Sequence, residues 1–404
     1  MLDALVRDPI AHDSRRAWVA TVAASCVNGV AFGIAYSFGT FFDAMSEDFG
    51  TDRGPTALIF GITLLFFFGT GIVTGPIGDR VGARRFVLAG GAVFALGLVI
   101  SAQVEVLWLG YLTYGIGVGV GGGSFVAPLA AHIGRLFVTH RPFALGVMAI
   151  GNGLGTLIVA PTTSAMVEAE GWRFAFVALA VAAGSIFAVG AVFIGPSPRF
   201  DSPLASVSGV RAMFSDPGFA PLFWSATLMS VGLYVAFAFV VPFAEDTGVS
   251  SSAAARLVGL IGFASIFGRL GLTALTSRVG AGGVYLAALG MQPVAYAIWL
   301  VADGRYAVLV VFALTLGTAY GGFVAVTPEL AMRRFGLDQL GLRMGTLFTS
   351  FAIGGLIGPP IAGALADRTE GTTATIVTVI AVVAAAFVVA LPVGRARDDV
   401  EVVT

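Results

Sequence analysis

The chain contains no lysine: all 22 of its basic residues are arginine. Schiff-base chemistry, a phosphate-loop lysine and a lysine counter-ion are therefore excluded. Cysteine is almost missing as well. Cys26 stands alone in an apolar run, so the chain has neither a disulfide framework nor a cysteine metal cluster. The three histidines, His12, His132 and His140, lack ligand spacing, and no zinc-protease or phosphate-binding pattern is present. Charge is scarce at 11% of residues, against about 25% in soluble chains.

What the chain has in abundance is apolar length: 57% of its 404 residues are hydrophobic and the mean hydropathy is +0.93. Charge clusters and Gly/Pro breaks divide it into twelve apolar runs, near 17–42, 55–76, 84–104, 106–133, 142–167, 173–195, 218–244, 253–276, 281–302, 306–332, 343–366 and 372–393. Each is long enough to cross a bilayer. Twelve such helices need roughly 240 to 300 residues, which leaves no room for a soluble catalytic domain. The expectation is an all-α membrane protein, not an enzyme, with no cofactor and no nucleic-acid partner.

Sorting the arginines by connection gives the orientation, because basic residues on short loops stay on the cytoplasmic side. With both termini inside, 16 arginines lie on inner connections. Only Arg53, Arg173, Arg256, Arg305 and Arg368 lie on outer ones. Arg269 belongs to neither set. This predicts a multi-pass protein of the inner (plasma) membrane with both termini cytoplasmic. The Pro-rich connection after residue 195 splits the chain into a tail 1–16, a six-helix unit 17–195, a linker 196–217, a second unit 218–393 and a tail 394–404. The units also share spacing: Arg80-Val81-Gly82-Ala83 recurs as Arg278-Val279-Gly280-Ala281, and Gly146 to Pro161 is matched by Gly345 to Pro360. An internal repeat of six helices follows.

Between runs 2 and 3 stands Gly75-Pro76-Ile77-Gly78-Asp79-Arg80-Val81-Gly82-Ala83-Arg84-Arg85, which resembles the loop signature of the major facilitator superfamily. Ala31 to Phe42 with Glu47-Asp48-Phe49-Gly50, Arg141 to Gly146, Gly232 to Ala244 and Gly354 to Gly363 are each similar to segments of the monocarboxylate transporters; bacterial oxalate/formate exchangers share much of the pattern. The resemblance spans runs 1 to 11. It implies two pseudo-symmetric six-helix bundles, a monomeric carrier and a small carboxylate substrate moved by alternating access, with protons as a coupled species. Asp79, Arg80, Arg84 and Arg85 would then serve the inner gate. Glu329 and Arg333, four residues apart, form a candidate gate pair on run 10.

Arg269 carries the sharpest expectation. It lies nine residues before Arg278, roughly 13 Å deeper and near the middle of an approximately 30 Å core. A charge at that depth costs on the order of 3 kcal/mol, so it should face a watery cavity and await a counter-ion. Ser265 and Thr273, four residues to either side, make its helical face polar. The alternative is an arginine spent on backbone carbonyls or a protein acid. By resemblance, Ala264 to Arg269 matches the run 8 segment whose arginine binds the substrate carboxylate, and a guanidinium can take a carboxylate bidentately.

Two positions depart from the family. Tyr36 stands where the animal carriers have a lysine and Ser265 where they have an aspartate, which puts a protein-borne proton relay in doubt. No basic residue lies between Arg343 and Arg368, so a single central positive charge points to a monoanion. Tyr36, Tyr234, Tyr320, Ser124 and Asn152 are candidate polar contacts, Asn28, Tyr114 and Thr327 weaker ones, and Phe348 a candidate apolar wall. Asp43 and Asp367 are expected to be solvated at outer ends, and His132 to lie in the inner headgroup zone. Trp18, Trp108, Trp172 and Trp299 are expected in an aromatic belt. A drug exporter of the same fold and a non-transporting solute sensor are the alternatives.

Overall fold

In the computed structural model, residues 11–138, 140–196, 211, 213–216, 218–335, 340–369 and 372–395 are described. They are helical almost throughout. Eleven stretches are long and apolar enough to span a membrane, and one of them is 52 residues long. That one breaks at Gly171, whose φ of 84° only glycine adopts freely, so the described residues make twelve spans.

The spans are α1 Arg15–Tyr36, α2 Arg53–Gly75, α3 Ala83–Ser101, α4 Leu107–Leu136, α5 and α6 within Phe143–Ile194 to either side of Gly171, α7 Phe219–Asp246, α8 Ser251–Leu272, α9 Arg278–Leu300, α10 Tyr306–Ala331, α11 Met344–Thr369 and α12 Thr373–Val393. Run 1 proved to be three pieces. After α1 the chain makes a tight turn at Phe38–Thr40 and a short helix, Phe42–Phe49. Most of the linker, Arg199 and Asp201 included, lies outside the described residues, as do Arg7 and Arg397 in the tails.

Local chemistry explains the breaks. The loop between α2 and α3 turns at Gly82 and its repeat turns at Gly280, in the first turn of α9, with φ of 98° and 74°. A left-handed glycine at each equivalent point is the physical content of the Arg-Val-Gly-Ala repeat. Gly78 earns its place by proximity: a Cβ there would sit 2.5 Å from Pro128 Cγ of α4. Prolines inside α4, α5, α7 and α10 are tolerated because neighbouring helices surround them.

Glycine also lines the seams between helices. Within the first half, α1 and α5 touch backbone to backbone at Gly29 and Gly151 and again at Gly33 and Gly155. Between the halves, Gly153 and Thr156 of α5 meet Gly262 of α8, and Gly61 and Leu64 of α2 meet Leu356 and Gly355 of α11. Small residues let the backbones approach and keep the surfaces smooth enough to slide. The halves close on each other at the end remote from the termini. There Gly39 lies against the Phe237 carbonyl, and the Phe42 and Phe239 rings are 5.1 Å apart.

Two groups are placed differently from expectation. Trp172 and Trp299 are buried, 3% and 2% exposed, instead of forming a belt. The Trp172 indole donates to Asp48, and Trp299 packs among Tyr296, Phe312 and Phe243, because both ring faces find aromatic partners inside a bundle. Trp18 and Trp108 do remain at the surface. His132 is likewise buried, with Nε2 at 3.0 Å from the Ile194 carbonyl, which ties α4 to the end of α6.

Candidate functional site

The centre of the molecule is lined by rings and phenols from both halves. Tyr36 of α1 lies edge-on to Tyr234 of α7, centroids 6.0 Å apart, and against Phe237 at 4.4 Å. Tyr320 of α10 approaches Phe237 at 6.4 Å and is close enough to both other phenols to influence them electrostatically. Phe32 and Phe68 complete the same wall. The Tyr36 and Tyr234 hydroxyls are buried and complete no hydrogen bond of ordinary geometry among the described residues. An unpaired buried hydroxyl is costly unless a ligand or water pairs with it.

Arg269 sits beside this cluster. Its guanidinium lies 6.0 Å from the Tyr320 ring centroid, and the residue is 8% exposed. Nη1 donates to the Ala149 carbonyl of α5, across the seam between the halves. A partner of the backbone-carbonyl kind is therefore present, and it belongs to the opposite half.

The other candidates divide. Asn152 lies one turn beyond Ala149 on α5, and its Oδ1 is buried without a hydrogen-bond partner, as is that of Asn28. Phe348 lies one turn before Phe351, whose ring meets Phe68 at 5.5 Å and Phe323 at 5.8 Å. Phe348 itself is 43% exposed. Ser265 is fully buried; its hydroxyl donates to the Gly262 carbonyl at 2.7 Å, and the residue packs against Gly321 and Gly153. Ser124 points at Gly90 of α3, away from the centre, and donates to the Gly121 carbonyl. Both serines thus do packing work. Ser265 and Arg269, four residues apart on α8, both meet α5, at Gly153 and Ala149. The side chains of Thr273 and Asp79 lie outside the described residues.

Of the gate candidates, Arg80 and Arg85 are exposed and Arg84 half-buried at the terminus end. Glu329 and Arg333 do pair, at 2.8 Å, within one helix and partly in solvent. The remote end holds contacts that sequence reasoning left out. Arg53 of α2 pairs with Asp246 of α7 at 2.7 Å, and the Arg53 and Gly54 backbone N–H groups donate to Asp367 of α11 at 3.2 and 3.0 Å. Asp367 is thus engaged instead of freely solvated. Asp43 is half-buried on the short helix. Burial, partly offset by Arg53 and reinforced by Asp246, Glu245 and Glu47, pushes its carboxyl up to about 6. These groups come from four elements, and only the fold could unite them.

A groove of about 630 Å³ runs along the outside of α1 and α6, bordered by Trp18, Val22, Cys26, Val189 and Phe193. It is almost wholly apolar and faces away from the central cluster. Chain-filling lipid suits it, and a charged solute does not.

Comparison with known proteins agrees with this geometry. A model of the Major Facilitator Superfamily matches residues 22–302. Monocarboxylate transporter 3 of Rattus norvegicus is 30% identical over 362 residues, covering 87% of this chain and 74% of that one. The Fujikurins efflux protein of Gibberella fujikuroi is 25% identical over 354 residues, 86% and 76% of the two chains. Among solved structures, a bacterial homolog of the human lysosomal transporter Spinster, inward-facing and unoccupied, superposes with a TM-score of 0.74 at 15% identity, over 95% of this chain and 98% of that one.

Proposed function

The chain belongs to the major facilitator superfamily, and from that premise we propose that it carries a small monocarboxylate across the plasma membrane, with Arg269 as the anchor of the anion. That it is a multi-pass membrane transporter follows from the family; the solute and its coupling are our reading. The observation that carries it is Arg269 itself, a buried cation beside the central phenols that reaches across the seam to a carbonyl of the opposite half.

An arriving carboxylate takes the guanidinium in a charge-assisted, two-pronged pair. Pairing with the anion lowers the cost of dehydrating the guanidinium, so the loaded carrier closes and rocks more readily than the empty one. Protons travel with the anion or on water beside Arg269. The carrier works as a monomer, and the excess of arginine on inner connections supports cytoplasmic termini.

Uptake of labelled lactate, pyruvate, acetate and formate into proteoliposomes, with and without a proton gradient, is the test. Gradient-stimulated uptake is expected, and full transport by Arg269→Ala would sink the carboxylate role. The aromatic wall of Phe32, Phe68, Phe237 and Phe351 favours a second reading, export of a larger apolar compound, as the fungal efflux relative suggests. Rescue of drug sensitivity by overexpression, without carboxylate flux, would select it.

A further inference from the structure

Arg15, Val19, Val22 and Cys26 follow one another along α1 at helical spacing, so they share one face of it. All four are exposed. The last three form one wall of the groove on the outside of the first half, and Ser185, Val189 and Phe193 of α6 form the other. The Ser185 hydroxyl donates to the Val181 carbonyl of its own helix at 2.7 Å, which leaves the lining apolar. Gly190 makes the floor: a Cβ there would lie 2.6 Å from Val27 Cγ2 of α1.

The groove is one leaflet deep. It begins at Trp18, just inside the start of α1 at Arg15, and ends at Cys26. That is about 12 Å along the helix axis, against a hydrocarbon core of about 30 Å. Beyond Cys26 the helix leaves the surface. Every residue from Val27 to Tyr36 is buried except half-buried Val30, because Gly29 and Gly33 draw α1 onto α5. A partner helix crossing the whole membrane would find no wall on α1 over the rest of its length. The chain of a single lipid ends where the groove ends.

The mouth is basic. Arg15 heads the exposed stripe, one turn before Val19. Trp18 closes one side of the mouth, held edge-on by Phe137 and Phe143 at 4.7 and 5.7 Å. Asp13, the acid nearest in sequence, is turned to the α4–α5 connection, where it accepts from the Val138 and His140 backbone N–H groups at 3.1 and 3.3 Å. An apolar slot under a cation matches a molecule with a hydrocarbon chain and an anionic head. We propose that the groove binds one anionic phospholipid from the leaflet on the side of the termini, with an acyl chain between α1 and α6 and the headgroup on Arg15. Both walls belong to the first half, so the site persists whichever way the two halves rock.

The test titrates the full-length protein, purified in a nonionic detergent, with phosphatidylglycerol or with phosphatidylcholine of the same acyl chains, and counts bound lipid by native mass spectrometry. The first phosphatidylglycerol should bind roughly fivefold more tightly than the first phosphatidylcholine, the effect of one arginine at an anionic headgroup. Arg15→Gln should bring that ratio close to one, and Arg15→Lys should keep it. Val22→Trp fills the slot and should weaken both lipids. Cys26 is the only cysteine in the chain, so phosphatidylglycerol should also slow its alkylation by N-ethylmaleimide in the unmodified protein and not in Arg15→Gln. Equal affinities for the two lipids in the unmodified protein would overturn the proposal whether or not any variant folds, as would a preference that survives Arg15→Gln. Two further results would also overturn it. Competition by glycerol phosphate as strong as that of the lipid would mean that the head binds without the groove, and dimers that Val22→Trp dissociates would make a second copy of the chain the occupant.

Discussion

At the scale of single residues, the centre is organised by what lacks a partner. The Tyr36 and Tyr234 hydroxyls and the Asn28 and Asn152 side-chain oxygens are buried and complete no hydrogen bond of ordinary geometry among the described residues, and Arg269 donates to the Ala149 carbonyl across the seam. Such groups raise the cost of the empty state and so favour ligand entry. The shape of the cation matters as much as its charge. Arg269→Lys keeps the charge but loses the planar fork, so the KM for the transported anion should rise on the order of tenfold, read by initial uptake rates. A KM unchanged by that substitution would mean that charge alone suffices. Tyr36→Phe removes one buried hydroxyl that completes no hydrogen bond of ordinary geometry and should leave stability unchanged or slightly raised, by up to about 1 kcal/mol, in thermal unfolding of the purified protein.

Among elements, the glycine seams decide which helices can touch. Gly155 lies directly on the Gly29 backbone, and a side chain there has nowhere to go. Gly155→Leu should push α1 from α5 and destabilise the first half by about 1–3 kcal/mol, seen as a lowered Tm. The effect should exceed that of Gly146→Leu, on the same helix but with open space around it. Periodicity located these helices because apolar length is written locally. The contact partners of each glycine were not legible, since an isolated glycine in an apolar run looks the same whether it faces lipid or a neighbouring backbone. The aromatic belt failed at Trp172 and Trp299 for the same reason: a tryptophan near a span end has no local mark that says which way its ring turns.

For the whole molecule, the remote end supplies a latch between the halves. Arg53 holds Asp246 by its side chain, and its backbone with that of Gly54 binds Asp367. Arg53→Gln should weaken closure and raise the outward-open population several-fold, measured by pulsed electron-spin distances between labels at Glu105→Cys and Ser250→Cys in a Cys26→Ser background. Asp43 adds a pH dependence whose sign is fixed. Its carboxyl is raised to about 6 in the closed molecule, and hydration on opening returns it toward the ordinary carboxylate value of about 4. The closed form therefore binds the proton more tightly and gains stability as pH falls through about 6, a gain lost as pH rises again. Between pH 7.5 and 5 the closed-to-open ratio should rise roughly tenfold. Asp43→Asn should abolish that response; a response that persists in the variant would place the titrating group elsewhere.

The sequence by itself determined the membrane class and the twelve runs, and it suggested a twofold repeat of six helices and a deep Arg269, because each depends on local hydropathy, on short spacing or on counting charges along one chain. It also excluded lysine from every role. Only the tertiary structure decided what Arg269 touches, that Ser265 packs into the seam of α5 and α8 while Ser124 faces α3, and that Gly29 and Gly151 cross backbone to backbone. Those outcomes depend on which helix faces which and at what level. They are set by close backbone packing between residues more than a hundred positions apart, and no window along the chain contains both partners.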